Sequence, residues 1–204
     1  MKLHPVTTSS SVDLIELSDS IGRSSSVRSR AGKRAKAKGS SFERRIAKSL
    51  GDWWETKFYR TPQSGGSYLK EGYELAGDVA TPAEDFRFHV ECKNQECLGK
   101  FHNFLVSEKA AVWKWWEQCQ SDCPKDRVPL LIFTKNHMPA WVLLQAELFD
   151  ILVDKDWSSD GNAGLEHQAY ISVGDVIVVT LDRFLAIPKS VMVETLKEYG
   201  YVSR

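Results

Sequence analysis

Apolar residues recur along this chain with two periods, and the switches between them mark out the elements. Phe42, Ile46 and Leu50 stand at i, i+4 and i+8, one face of a helix. Ser40-Ser41-Phe42-Glu43 has the S-x-x-E form of a capping box and would start that helix, and Gly51 would end it. Thr56 to Arg60 predicts a short strand. Thr61 to Gly66 (TPQSGG) predicts a loop, because Pro and paired Gly break regular structure. A second strand is expected over Glu74 to Ala80 and a third over Phe86 to Lys93, with a turn from Thr81 to Asp85 between them. Along the third strand Phe86, Phe88, Val90 and Cys92 share one face, and Arg87, His89, Glu91 and Lys93 share the other.

Farther on, Phe104, Leu105, Ala111, Val112, Trp115, Trp116 and Cys119 fit a helical stripe between Asn103 and Cys119. Val128 to Thr134 and Ala140 to Leu144 predict two buried strands, Asp175 to Leu181 another, and Lys189 to Tyr199 a terminal helix. The order α-β-β-β-α-β-β with a β/α appendix predicts an α/β fold, a mixed central sheet flanked by helices. Residues 1–39, rich in Ser, Gly and basic residues with little periodicity, are expected to be a disordered basic arm. The folded core is expected over 40–144, and 145–204 as a C-terminal β/α extension packed on it.

Composition changes this picture mainly through charge. The 204 residues carry a formal net charge of zero. That zero hides a partition: Arg23, Arg28, Arg30, Lys33, Arg34, Lys36 and Lys38 fall in a stretch without an acid, whereas 145–204 holds ten acids and five Lys or Arg. A basic arm beside a folded domain suggests a polyanion, nucleic acid first; a plain solvated tail is the bland alternative. No apolar run approaches the ~18 residues of a membrane span, and the N-terminus lacks the apolar region of a secretory signal, so a cytoplasmic protein is expected. Cys92, Cys97, Cys119 and Cys123, with His102 nearby, lack the tight spacing of structural zinc sites; reduced thiols are the expected state.

Candidate chemistry lies on the second and third strands. Asp78 falls near the end of one, and Glu91 and Lys93 are two apart on the other, so their side chains point the same way. If the strands are neighbours, two carboxylates and an ammonium converge. Hard oxygen ligands of this kind hold Mg²⁺, which polarises a phosphoryl oxygen and acidifies water, and a nearby Lys can orient that water. The pattern is short, and Glu55-Thr56-Lys57 repeats part of it without an earlier strand ending in a carboxylate. Its bland reading is a polar sheet face with an ion pair.

Gly77-Asp78-Val79, a turn, and His89-Val90-Glu91-Cys92-Lys93 resemble the PD-(D/E)xK nuclease superfamily. Lys38-Gly39-Ser40-Ser41-Phe42-Glu43-Arg44-Arg45 and Arg60-Thr61-Pro62-Gln63-Ser64-Gly65-Gly66 resemble its Holliday junction resolvase branch of archaea and phages. Trp115-Trp116-Glu117-Gln118 followed by Pro129 to Phe133 resembles phage members. The likeness covers about residues 38–144, and departs from the pattern in having Gly77 where Pro usually precedes the Asp.

The resemblance implies a restriction-endonuclease-like core and a metal site formed by Glu43, Asp78, Glu91 and the Cys92 carbonyl. Lys93 and Ser64 would complete the catalytic set. Arg60, Ser64, Gln118 and the basic residues Arg30, Lys33, Arg34, Lys36 and Lys38 would contact DNA. Each has a plainer reading. Glu43 is the third residue of a capping box, Ser64 a turn residue, Arg60 a surface charge, and Gln118 a neighbour of the Trp stripe. Trp113, Trp115 and Trp116 suit a core or a dimer interface better than base stacking. His89 is more often a polar neighbour than a ligand, and Cys92 more often a small core group.

The expected activity is a Mg²⁺-dependent endonuclease, with Mn²⁺ able to substitute, that cuts branched DNA as a Holliday junction resolvase. A C2 homodimer would suit two matched cuts. The expected location is cytoplasmic, at the nucleoid or in the host cytoplasm if phage-encoded, with no membrane partner. Two alternatives stand beside this: a repair or restriction-like nuclease on linear, nicked or single-stranded DNA, and a non-catalytic DNA-binding accessory protein.

Overall fold

The computed structural model describes residues 12–61, 68–70, 73–75, 77–95, 107, 109–136, 138–155 and 170–200, with backbone alone for 12–31, 68–70 and 73–75. Helix α1 is Val12–Trp54. It starts at Val12 and not at the Ser40 capping box, which corrects the expected start; its backbone is helical from Val12 on, within the segment expected to be a disordered basic arm. No Pro interrupts Val12 to Lys38, and Lys33 to Lys38 are all Lys, Arg or Ala, which favour helix. The chain divides into two units, Met1–Lys38 and Gly39–Arg204. The second holds every strand among the described residues.

Its main sheet has seven strands in the order β1-β4-β5-β6-β7-β9-β8. These are β1 (Tyr59–Arg60), β4 (Val79–Ala80), β5 (Phe88–Gln95), β6 (Val128–Lys135), β7 (Trp141–Gln145), β8 (Ile171–Val173) and β9 (Val176–Thr180). Strands β5 and β6 are parallel, the other pairs antiparallel. A separate hairpin joins β2 (Tyr68–Lys70) and β3 (Tyr73–Leu75). The helices after α1 are α2 (Ala111–Asp122), α3 (Ala146–Asp154), α4 (Leu181–Leu185) and α5 (Lys189–Glu198).

Strand alternation sorts the core into two layers. Phe88, Val90, Leu130, Ile132, Val142, Leu144, Ile177 and Val179 pack with Phe42, Ile46 and Leu50 of α1, Leu148 and Leu152 of α3, Phe184 of α4, and Met192 and Leu196 of α5. Leu131, Phe133, Leu143, Val176 and Val178 face the other way, onto Val112, Trp115, Trp116 and Cys119 of α2. Strand β6 is buried on both faces, which is why VPLLIF reads as a continuous apolar run. This is the mixed sheet with flanking helices that the pattern predicts.

Several boundaries differ from expectation. Helix α1 runs past Gly51 because Trp54 and Trp53 are anchored: their indole N–H groups donate to Asp85 Oδ1 (2.8 Å) and to the Ile187 carbonyl (2.7 Å). The helix stops at Glu55, whose φ of 56° is left-handed. The predicted second strand is split into β3 and β4, because Gly77 at φ 85° cannot continue extended backbone. Helix α2 runs from Ala111 to Asp122; residues 103–106 of the expected stripe lie outside the described residues. Residues after Gln145 carry α3, β8 and α4, which the periodicity did not predict, and β9 pairs directly with β7. Among the described residues, no helix is long and apolar enough to cross a membrane.

Candidate active site

The site forms where β4 gives out. Val79 pairs with Val90 on β5, and the Asp78 N–H donates to the Val90 carbonyl at 2.8 Å. Past Val90, β4 supplies no further rung. The Cys92 N–H donates instead to Asp78 Oδ2 at 2.8 Å. A strand residue points its N–H and C=O to the same edge, so the Cys92 carbonyl is also directed to this side. Asp78 and Glu91 are both buried, at 4% and 6% exposure. The Lys93 ammonium donates to Glu91 Oε1 at 2.6 Å and reaches Gln118 Oε1 on α2 at 3.4 Å.

Glu43 approaches from α1. Because α1 is already helical at Ser40, Ser40 is no helix start and the capping role has no place. The Glu43 carboxylate accepts from Arg60 Nε on β1, a close ion pair between partly buried side chains. Arg60 stands opposite Val79, and the next N–H, of Thr61, donates to the Asp78 carbonyl at 2.9 Å. Asp78 feels its surroundings strongly: burial, then the Glu91 carboxylate and, more weakly, Glu43, push its carboxyl up to about 7, against the Cys92 N–H and Lys93, which pull it down. Glu43, Asp78, Glu91, Lys93, Arg60, Gln118 and the Cys92 backbone are therefore gathered in one region.

Among the described residues, no group of three or more His, Cys, Asp or Glu side chains is close enough as it stands to hold a metal ion. Glu91 is turned to Lys93 and Glu43 to Arg60. The donor chemistry nevertheless fits a hard divalent cation: carboxylate oxygens and a main-chain carbonyl are its usual ligands, and mutual repulsion among carboxylates is what a cation relieves. The Cys92 thiol faces the α1 core layer, and burial and the nearby carboxylates push it well above the usual thiol range.

Two further residues shape the site. A Cβ on Gly77 would lie 2.5 Å from the Val90 carbonyl oxygen and 3.3 Å from the His89 ring. Pro, fixed near φ −65°, could not adopt the 85° seen here. The sequence signalled this residue only as a departure from the usual Pro. His89 is buried, and among the described residues neither ring nitrogen has a hydrogen-bond partner. Burial and, second, the Arg127 charge lower its pKa, which favours the neutral ring. The Glu43–Arg60 pairing joins residues on separate elements and left no signal in local pattern.

The remaining expectations fall elsewhere. Ser64 lies outside the described residues. Arg30 is helical, with only its backbone described; Lys33, Arg34 and Lys36 are exposed and Lys38 is half-buried, all in the Met1–Lys38 unit. Trp115 and Trp116 are core residues. The Glu55-Thr56-Lys57 repeat sits in the turn after α1. Cys92 and Cys119 belong to different core layers, and Cys92, Cys119 and Cys123 are free.

Residues 34–194 match the model of a family described as "Phage putative PDDEXK endonuclease". The match runs well beyond residue 144, so the C-terminal elements, set outside the likeness by sequence reading, belong to it. No curated protein and no solved structure matched the chain.

Proposed function

The chain belongs to the phage PD-(D/E)xK endonuclease family, and from that premise we propose that it is a divalent-metal-dependent endonuclease that hydrolyses phosphodiester bonds in branched DNA, four-way junctions above all. The observation that supports the reading is the meeting of Asp78, Glu91, Lys93 and Glu43 at the open edge of β5. Asp78, Glu91 and Glu43, with the Cys92 carbonyl, would hold the ion, Mg²⁺ in the first instance with Mn²⁺ able to replace it. A divalent cation there supplies Lewis acidity toward the phosphoryl oxygen and acidifies water.

The chain's own groups do the rest. Lys93, 2.6 Å from Glu91, orients the attacking water and offsets charge building on the phosphate. Gln118, within reach of Lys93, limits where that ammonium can go. Arg60 and Ser64 contact the DNA backbone, for which a planar guanidinium is well suited. Basic residues from Arg30 to Lys38 add affinity that is independent of sequence and sensitive to salt. Preference for a junction rests on the likeness of the Glu43 and Arg60–Gly66 segments to resolvases. A homodimer would deliver two matched cuts, and the protein would act wherever phage DNA recombines in the host cytoplasm.

The test is a substrate panel: four-way junction, flap, duplex and single strand, each with Mg²⁺ or EDTA. Paired, symmetric, metal-dependent nicks on the junction are expected. Equal cutting of linear duplex would replace the junction assignment with a general nuclease. Binding to all four substrates without cleavage would replace it with a non-catalytic DNA-binding role.

A further inference from the structure

Three acidic side chains gather at the site, Glu43, Asp78 and Glu91, and two cations answer them, Lys93 on Glu91 and Arg60 on Glu43. Asp78 is held by a backbone N–H, that of Cys92. Lys93 grips a carboxylate of its own strand. Arg60 reaches across elements, from the two-residue edge strand β1 to α1, and its side chain keeps 30% exposure. A partly exposed ion pair of this kind is easily given up, whereas the Arg60 backbone is fixed by the β1–β4 register and the Thr61–Asp78 hydrogen bond. The side chain can leave Glu43 while its Cα stays at the site.

We propose that Arg60 is a displaceable counter-ion: it neutralises Glu43 while the carboxylates hold no divalent cation, and passes to a DNA backbone phosphate when Glu43 turns to a cation. This rests on the metal-dependent nuclease reading. It makes Arg60 the residue that couples metal binding to DNA binding. The guanidinium is a planar fork of donors that fits a carboxylate or a phosphate equally, so the exchange trades one anion for another. Coupling of this kind is reciprocal: DNA should tighten metal binding by the same factor as metal tightens DNA binding.

The test is Mn²⁺ titration of the full chain, reading free Mn²⁺ by electron paramagnetic resonance. Arg60→Ala should bind Mn²⁺ about threefold to fivefold more tightly than wild type, since a weak competing pair has been removed. Arg44→Ala, which removes an exposed cation one residue from Glu43, should change affinity less than twofold. In a Glu43→Gln background the Arg60→Ala gain should vanish, as a double-mutant cycle requires of a direct pair. Arg60→Gln serves if the alanine variant does not fold. A second readout is the tightening of four-way-junction binding by Ca²⁺ over EDTA, which should shrink at least threefold without the guanidinium. Unchanged or weaker Mn²⁺ binding in both Arg60 variants would overturn the proposal. So would an equal gain in the Glu43→Gln background, which signifies long-range field only. If wild type shows no Mn²⁺ site that Asp78→Asn removes, the underlying metal reading fails first.

Discussion

At Gly77 the chain makes a turn that only glycine accommodates, and Asp78 inherits its position from that turn. A methyl group there would lie 2.5 Å from the Val90 carbonyl oxygen, with φ at 85°. Backbone strain and overlap of this kind cost on the order of 1–3 kcal/mol. Gly77→Ala should therefore lower Tm by several degrees and cut cleavage at least tenfold, as thermal denaturation and single-turnover assays would report; wild-type values for both would remove Gly77 from the account. Asp78 itself carries a pH-dependent cost. Its folded pKa is raised from 3.8 to about 7, so the folded state holds the proton more tightly than the unfolded state. Stability without metal then falls as pH rises from 3.8 toward 7 and stays low above it. Asp78→Asn removes the charge and keeps an acceptor for the Cys92 N–H. In EDTA at pH 8 it should melt higher than wild type, and the gain should disappear near pH 4; each ~1 kcal/mol corresponds to about 2–4 °C in a chain of this size.

Among the elements, those with strong periodicity were legible in the sequence. The alternation from Phe86 to Lys93 correctly separated the core face from the face bearing Glu91 and Lys93. The apolar runs gave β6 and β7 within a residue or so at each end. Short elements were not legible. Helix α3 has nine residues and α4 five, too few to stand on local propensity, and both are held by the α1 core layer. Strand β4 has two residues because Gly77 ends its extension. The consequence is greatest at the C-terminus. Strand β9 pairs with all five residues of β7, and Ile177 and Val179 pack in the same layer as Val142 and Leu144. A chain ending at Gln145 should thus lose cooperative melting and expose core surface to hydrophobic dyes. A sharp melt from that truncated chain would show that the sheet closes without its last strands.

For the whole molecule, charge and fold divide the work. Deleting residues 1–38 should leave the melting of the Gly39–Arg204 unit nearly unchanged. It should weaken DNA binding and flatten the salt dependence by several units of log–log slope, since the segment carries seven Lys or Arg between Arg23 and Lys38. Of the candidate site, Asp78, Glu91 and Lys93 were legible from strand spacing, and Glu43 and Arg60 from family likeness. The pairing of Glu43 with Arg60 was not, because it depends on how α1 and β1 meet. The proposed function assigns metal-dependent hydrolysis of DNA to these carboxylates. Its most direct measurement is cleavage of an end-labelled four-way junction by wild type and by Asp78→Asn, each with Mg²⁺ and with EDTA. Cleavage by wild type in Mg²⁺ alone, reduced at least a thousandfold in the variant, is the predicted result. Cleavage that survives EDTA or the Asp78 substitution, or its absence from wild type in both Mg²⁺ and Mn²⁺, would contradict it.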